Sequence, residues 1–158
     1  MILIIDFGSQ VTQLIARRIR ELNIYCEIKN PDISIEEIQK INPKAIILSG
    51  GPESVYEKDA PTIDEKVFNL GTPILGICYG QQLICHLLGG KVESSTERGF
   101  GKSMLKITDD SDLLSGLGSA SQVWMSHGDH ISKIPENLEV IAAAQSAPSA
   151  AIADHKRK

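Results

Sequence analysis

Cys78 is the residue of this chain best placed for covalent chemistry. It lies within residues 76–80, Gly-Ile-Cys-Tyr-Gly, between an apolar run at 72–75 and a stretch with helical apolar spacing at 81–88. A cysteine between a buried strand and the first turn of a helix is typical of a nucleophile elbow, which projects one reactive side chain from a sheet edge. A helix N-terminus favours the thiolate, the nucleophilic form. The pattern predicts a nucleophile, with a small buried cysteine as the plainer alternative.

Two further features could assist such a nucleophile. Gln82 follows Cys78 by one helical turn, so it lies on the same helix face, and its side chain can recognise another amide. The turn at 49–52, Ser-Gly-Gly-Pro, ends an apolar run and could present a backbone N–H to an oxyanion, with the N–H of Tyr79 as a second donor. The plainer alternatives are an exposed polar helix residue and an ordinary tight turn.

A fourth element, residues 123–130, reads Val-Trp-Met-Ser-His-Gly-Asp-His and holds the only tryptophan and two of the four histidines. His127 is a candidate base beside Cys78, and the alternative is a strand end whose backbone walls a pocket. We expect His86 and His155 to be structural or solvated.

Composition limits the classes of function. A length of 158 residues with 42% hydrophobic and 23% charged residues fits one globular domain. A net charge of −4 argues against nucleic acid as the main partner. The sequence shows no signal peptide and no apolar run of membrane-spanning length, so we expect no membrane partner. Three cysteines without paired spacing predict a reducing, cytoplasmic location with neither disulfides nor a metal site, and Cys26 and Cys85 as core residues.

The first 90 residues alternate between strand and helix patterns. Strands are predicted at 2–5, 24–28, 45–48 and 74–77, and helices from 8, at 35–41 and at 62–70. This order predicts an α/β fold with a doubly wound, mostly parallel sheet and flanking helices. Ligands of such sheets bind at the carboxyl ends of the strands, where residues 6–8, 49–52 and 78–80 lie.

The second half has a different character. Short β-like segments occur at 91–95, 102–107, 121–126, 138–145 and 149–153, with a capped helical turn at 111–116. We expect these segments to form an antiparallel extension of the sheet.

Four motifs together carry a resemblance to a known family. Residues 6–10 (Asp-Phe-Gly-Ser-Gln), 49–54, 76–82 and 123–129 closely resemble the class I (triad) glutamine amidotransferase domain of GMP synthetases, in the same order and over the whole chain. The resemblance implies a flavodoxin-like fold and a single domain over residues 1–158. It implies hydrolysis of glutamine to glutamate and ammonia for the conversion of XMP to GMP in purine biosynthesis.

The resemblance also implies a site. In the family a Cys–His–Glu triad acts through a thioester, with the histidine as the proton carrier. The resemblance assigns the nucleophile to Cys78 and the oxyanion hole to the backbone of Gly51 and Tyr79. It assigns the glutamine contacts to Gln82, Ser126, His127 and Gly128. His127 is not the family's triad histidine. The implied partners are glutamine and the ATP-pyrophosphatase domain or subunit of a GMP synthetase, and no cofactor is assigned.

One family motif has no counterpart in this sequence. The family's triad histidine and glutamate lie in a His-Pro-Glu motif after the segment that corresponds to 123–129, and this chain contains no His-x-Glu and no synthetase domain. We therefore expect a C-terminally incomplete amidotransferase domain that is slow or inactive alone. Two alternatives stay open: a silent module that holds glutamine or docks to a synthetase, and a hydrolase that uses His127 or His130 as base.

Overall fold

The computed structural model describes residues 1–110 and 112–157; for residues 95–100, 112, 126 and 127 it describes the backbone and not the side chains. The packing divides into two compact units. One unit comprises Met1–Leu88 and includes Arg157, and the other comprises Gly89–Lys156. One domain over residues 1–158 stays a prediction. None of the helices in the described ranges has the length and apolarity needed to cross a bilayer.

The first unit is a parallel α/β sheet, as predicted. Its elements in chain order are β1 (Ile2–Ile5), α1 (Thr12–Glu21), β2 (Cys26–Lys29), α2 (Ile35–Ile41), β3 (Ala45–Leu48), β4 (Ile74–Gly76) and α3 (Tyr79–Leu87). The strands lie in the order β2-β1-β3-β4, and all three neighbouring pairs are parallel. The order reverses at β1 and β3, and the crevice at such a switch point is where ligands bind in open parallel sheets.

The core of this unit lies where α1 covers the sheet. Ile4 is in register with Ile28 on one side and Ile47 on the other. A buried cluster joins these strands to the helix through Ile4, Ala16, Ile19, Cys26 and Ile47, with Ile2, Leu75 and Ile77 partly buried against it. Continuous apolar runs in the sequence predicted this burial, since a parallel sheet is covered on both faces.

Helix α2 has the predicted bounds, and local capping sets both of its ends. Ser34 Oγ accepts a hydrogen bond from the Glu37 N–H at 3.1 Å, which satisfies one free donor of the first turn. Asn42 adopts a left-handed conformation with φ of 49°, and Pro43 follows, so the helix cannot continue.

Two helix predictions need correction. Helix α1 begins at Thr12 rather than near Gly8, because the Asp6 carboxylate binds the Gly8 N–H and the Thr12 hydroxyl and so holds the intervening residues in a loop. The helix predicted at 62–70 is a 3₁₀ turn over Glu65–Asn69. Asp64 is extended, with φ of −61° and ψ of 123°, and its side chain accepts a hydrogen bond from the Lys66 N–H, so the helical conformation begins only at Glu65.

The second unit is an antiparallel sheet, which confirms the predicted character of this half. Its strands are β5 (Lys91–Ile107), β6 (Ala120–Lys133), β7 (Glu139–Ala144) and β8 (Ala147–Ala153), in the order β6-β5-β7-β8. These strands form a sheet of their own. The segments predicted at 91–95 and 102–107 are one long strand, whose register against β6 shifts between Ser94 and Gly99.

A short turn packs against this sheet. Asp112–Leu114 form a 3₁₀ turn, and Leu114 lies in a buried cluster with Ile107, Ile141 and Ala142. Ser111, the first residue of the predicted turn at 111–116, lies outside the described residues.

Candidate active site

Cys78 lies at a sharp turn between β4 and α3. It is the N-cap residue of α3, with φ of 53° and ψ of −110°, and it is exposed. A positive φ is uncommon for a residue with a side chain and persists only where surrounding structure enforces it. The predicted strand–cysteine–helix turn is therefore present, and the catalytic role of Cys78 stays a prediction.

The glycines on either side of the turn are required by close packing. A β-carbon at Gly76 would lie 2.6 Å from the Gln81 nitrogen and from the carbonyl group of Gly80. A β-carbon at Gly80 would overlap the backbone of Leu48, at the end of β3. Glycine is thus the residue that lets the turn fold back on itself and lets α3 approach the sheet.

Backbone hydrogen bonds anchor the turn to the end of β3. The Ile77 N–H donates to the Leu48 carbonyl and the Gly80 N–H to the Ser49 carbonyl, each at 3.0 Å. The position of Cys78 is therefore set by the strand that carries the glycine loop at 49–51.

That glycine loop lies beside the cysteine. A β-carbon built on Gly50 would lie 3.6 Å from Cys78 Cβ. In the described part of the chain, neither the Gly51 N–H nor the Tyr79 N–H donates to a backbone carbonyl, and Cys78 places no side-chain cap on the helix. Neither N–H group is therefore engaged by a backbone carbonyl of the described residues, and their assignment as an oxyanion hole stays a prediction.

A polar network that the sequence reasoning did not assign supports the loop. Ser49 Oγ accepts from the Phe7 N–H at 3.0 Å and lies 2.8 Å from the Gly50 carbonyl oxygen. Asp6 Oδ1 accepts from the Thr12 hydroxyl at 2.7 Å and lies 3.5 Å from Ser49 Oγ. Asp6 and Ser49 directly follow the parallel strands β1 and β3, and that shared position was the available signal.

Gln82 is buried in α3, 8% exposed. Its burial contradicts the alternative of an exposed polar helix residue. A buried amide must be hydrogen-bonded, and Gln82 does have a polar partner. Its role in binding glutamine stays a prediction.

The remaining predicted contacts lie in the second unit. Ser126, His127 and Gly128 belong to β6, where Ser126 pairs with Phe100 and His127 with Gly99. The side chains of Ser126 and His127 lie outside the described residues, so their proposed glutamine contacts stay predictions.

The other histidines differ from one another in their surroundings. His130 pairs with Glu93 in the sheet, and its Nδ1 is buried without a hydrogen-bond partner in the described part of the chain. His86 is exposed in α3, and His155 Nε2 lies 3.3 Å from Asp109 Oδ2. In the described ranges, no group of three or more His, Cys, Asp or Glu side chains is placed to hold a metal ion.

The side chain of Tyr79 anchors the start of α3. Its hydroxyl donates to the Pro61 carbonyl at 2.5 Å, and its ring packs on Phe7 with centroids 5.3 Å apart. Burial, reinforced by the charges of Glu53 and Glu57, raises the pKa of Tyr79 to about 12. The phenol therefore stays a donor across the neutral range.

We expect Tyr79→Phe to lower the free energy of unfolding by about 1 kcal/mol at neutral pH, because one hydrogen bond is lost. The raised pKa of Tyr79 means that above pH 10 the unfolded state loses the phenol proton while the folded state keeps it. The stabilisation from the protonated Tyr79 hydroxyl is therefore fully present below pH 10 and is lost as pH rises through about 12. Urea unfolding at pH 7 to 12 measures both effects. An equally steep alkaline loss of stability in Tyr79→Phe would contradict the assignment.

The three thiols differ sharply in exposure. Cys26 is 1% and Cys85 0% exposed, as predicted for core residues, whereas Cys78 is exposed. We expect limiting iodoacetamide at pH 7 to alkylate Cys78 first, because reaction at the other two requires local opening. Peptide mapping gives the adducts, and the urea-unfolded chain, in which all three should react, is the control. Preferential labelling of Cys26 or Cys85 in the folded chain would contradict this expectation.

Comparisons with known proteins agree with the resemblance. Residues 3–158 match the family model "Glutamine amidotransferase class-I". The chain is 56% identical over all of its 158 residues to the GMP synthase [glutamine-hydrolyzing] of Staphylococcus aureus strain JH9, and it spans 31% of the length of that relative.

Solved structures show the same fold. A candidate GMP synthase component from Thermoplasma acidophilum is 27% identical, with a TM-score of 0.89 over 99% of this chain and 78% of that one. A glutamine amidotransferase from Thermotoga maritima is 19% identical, with a TM-score of 0.74 over 96% and 72% of the two chains, and shows the fold alone.

Proposed function

Because the chain belongs to the class-I glutamine amidotransferase family, we propose that it removes the side-chain amide of glutamine through a thioester on Cys78. The observation that carries the proposal is the exposed cysteine at a positive-φ turn with the Gly50–Gly51 backbone beside it. A nucleophile next to free N–H donors is the arrangement that acyl transfer requires.

The proposed reaction has two halves. The Cys78 thiolate forms a C–S bond to the amide carbon, and the developing oxyanion accepts hydrogen bonds from the N–H groups of Gly51 and Tyr79. The C–N bond then breaks, and nitrogen leaves as ammonia with the proton that the Cys78 thiol released on forming the thiolate; in the family a histidine carries this proton. Water cleaves the thioester, which yields glutamate and restores the thiol.

The proposed substrate contacts have two sources of support. Gln82, buried one helical turn after Cys78, carries an amide that can pair with the substrate. The contacts of Ser126, His127 and Gly128 with the rest of glutamine follow from the family resemblance of the segment that contains them.

The proposed destination of the ammonia follows from the relatives. The match at 56% identity to a glutamine-hydrolysing GMP synthase supports delivery to an ATP-pyrophosphatase domain or subunit that converts XMP to GMP. The chain spans less than a third of the length of that relative, and the conversion of XMP to GMP is part of the proposal. The sequence has three cysteines without the paired spacing of a disulfide framework, which supports the proposal of a reducing, cytoplasmic location.

Substrate protection tests the proposal. Iodoacetamide labels Cys78 in the absence and presence of L-glutamine, with L-asparagine, one methylene shorter, as the matched control. We expect L-glutamine to slow labelling in a saturable manner and L-asparagine to have little effect. Equal labelling under all three conditions would contradict glutamine recognition at Cys78.

We expect these 158 residues, as an isolated polypeptide, to release glutamate from glutamine slowly. No His-x-Glu pair is present among them to carry protons, and loss of a triad member costs several orders of magnitude in rate. Glutamate production is measured against a Cys78→Ala control. Turnover typical of an enzyme, about 1 s⁻¹ or more, that His127→Ala abolishes would show that His127 is the base.

A further inference from the structure

Ser49 is a buried polar residue with no role in the reaction described above. It is 0% exposed and lies between the end of β3 and the glycine loop. Its hydroxyl has one hydrogen to donate and two acceptors within reach, the Gly50 carbonyl oxygen at 2.8 Å and Asp6 Oδ1 at 3.5 Å. The shorter distance assigns the donated bond to the Gly50 carbonyl.

This bond fixes the direction of the next N–H. A trans peptide group is planar, and its C=O and N–H point to opposite sides. The peptide between Gly50 and Gly51 is trans, so a carbonyl held against Ser49 turns the Gly51 N–H away from Ser49. Glycines on both sides leave this peptide group free to rotate in the absence of such a bond.

Ser49 is itself held in place from the other side. Its hydroxyl oxygen accepts a hydrogen bond from the Phe7 N–H. Asp6, which precedes Phe7, is in turn held by hydrogen bonds from the Thr12 hydroxyl and the Gly8 N–H to its carboxylate. Hydrogen bonds to the Ser49 hydroxyl therefore connect the loop after β1 with the loop after β3. Ser49 directly precedes the Gly50–Gly51 peptide group, which lies next to Cys78.

We propose that Ser49 is a positioning residue, which orients the Gly50–Gly51 peptide so that the Gly51 N–H is directed at the oxyanion formed at Cys78. This role rests on the proposed function and adds to it a residue that never touches the substrate. Asp6 and Thr12 support it by fixing the Phe7 backbone that Ser49 binds.

The test uses a glutamine analogue in which a chloromethyl ketone replaces the side-chain amide. Cys78 sulfur displaces chloride, so a C–S bond forms, the C–Cl bond breaks and chloride leaves, while the ketone oxygen lies where the oxyanion would form. The reaction needs the cysteine and the oxyanion donors and no base, so it suits the 158-residue chain. The inactivation rate at saturation (kinact) and the half-saturating concentration (KI) are measured separately.

We expect Ser49→Ala to lower kinact about tenfold, the loss expected when one hydrogen bond no longer holds the peptide group, with little change in KI. Iodoacetamide, which does not use the oxyanion donors, should label Cys78 at the wild-type rate. Ser49→Thr keeps the hydroxyl and should recover most of kinact.

Ser34→Ala is the matched control. Ser34 also accepts a backbone N–H, that of Glu37 at 3.1 Å, in the same unit but at the start of α2. Each alanine variant loses a hydrogen bond from a backbone N–H to a serine, and only Ser49→Ala should lower kinact, measured at a temperature where both variants are folded.

Two results would overturn the positioning role in different ways. Wild-type kinact in folded Ser49→Ala, with L-glutamine still protecting the wild-type chain, would refute the role of Ser49 and leave the proposed function standing. Failure of L-glutamine to protect the wild-type chain from the analogue would refute the proposed function and the role of Ser49 with it.

Discussion

Replacing Gly80 with alanine is expected to lower the free energy of unfolding by about 3 kcal/mol. Alanine favours a helix by about 1 kcal/mol over glycine, so helix propensity alone predicts the opposite sign. The close approach of α3 to β3 decides the outcome, because the added methyl would overlap the Leu48 backbone, which cannot move aside without breaking the sheet. Urea unfolding followed by circular dichroism measures the change.

Gly71→Ala is the matched control for this substitution. Gly71 has φ of 71°, and nothing lies within 4 Å of where its β-carbon would be, so alanine there costs about 1 kcal/mol from backbone conformation alone. A Gly80→Ala chain as stable as the wild type would show that α3 does not pack against Leu48 in solution.

The second large effect is expected at Gly51. A β-carbon there would lie 2.5 Å from the Phe7 carbonyl oxygen, so alanine must push the loop away from β1 and displace the Gly51 N–H. Loss of one oxyanion donor costs about 10²-fold in rate, so we expect kinact with the glutamine chloromethyl ketone to fall by about that factor.

Two comparisons isolate the cause of the Gly51 effect. Iodoacetamide labelling of Cys78 in Gly51→Ala should match the wild type, since the thiol itself is unchanged. Gly50→Ala should lower kinact less than Gly51→Ala does, because a β-carbon at Gly50 would make only ordinary van der Waals contacts of 3.5 to 3.7 Å. An unchanged kinact in Gly51→Ala would exclude the Gly51 N–H as an oxyanion donor.

The parallel half of the fold could be predicted because each strand is a short apolar run with a strong turn signal after it. The apolar run at 45–48, followed by Ser-Gly-Gly-Pro, predicted β3 with its correct bounds. The glycines on either side of Cys78 predicted the sharp turn between β4 and α3. The stretch at 62–70 misled because Ile63, Val67 and Leu70 have helical spacing. The structure does bury Ile63 and Val67, but Asp64 between them is extended, so only Glu65–Asn69 form a turn. Apolar spacing indicates which side chains are buried and not which backbone conformation buries them.

The candidate site could be predicted only in part, because two of its proposed groups are backbone N–H groups, which leave no mark on residue type. Cys78 and Gln82 have side chains whose chemistry is visible in the sequence. Ser49 has no such signal: a serine before two glycines is an ordinary turn residue until the structure shows the Phe7 N–H and the Gly50 carbonyl on either side of its hydroxyl. Three-dimensional contacts between the ends of β1 and β3 supply that information.

The most direct test of the account is the location of the adduct that the glutamine chloromethyl ketone forms on the 158-residue chain. Intact-mass measurement and peptide mapping should show one adduct per chain, on Cys78, that L-glutamine suppresses and L-asparagine does not, and none on Cys78→Ala. Adducts distributed over the three cysteines, or one adduct on Cys78 that forms equally fast in the presence of L-glutamine, would contradict the claim that Cys78 is the nucleophile of a glutamine site.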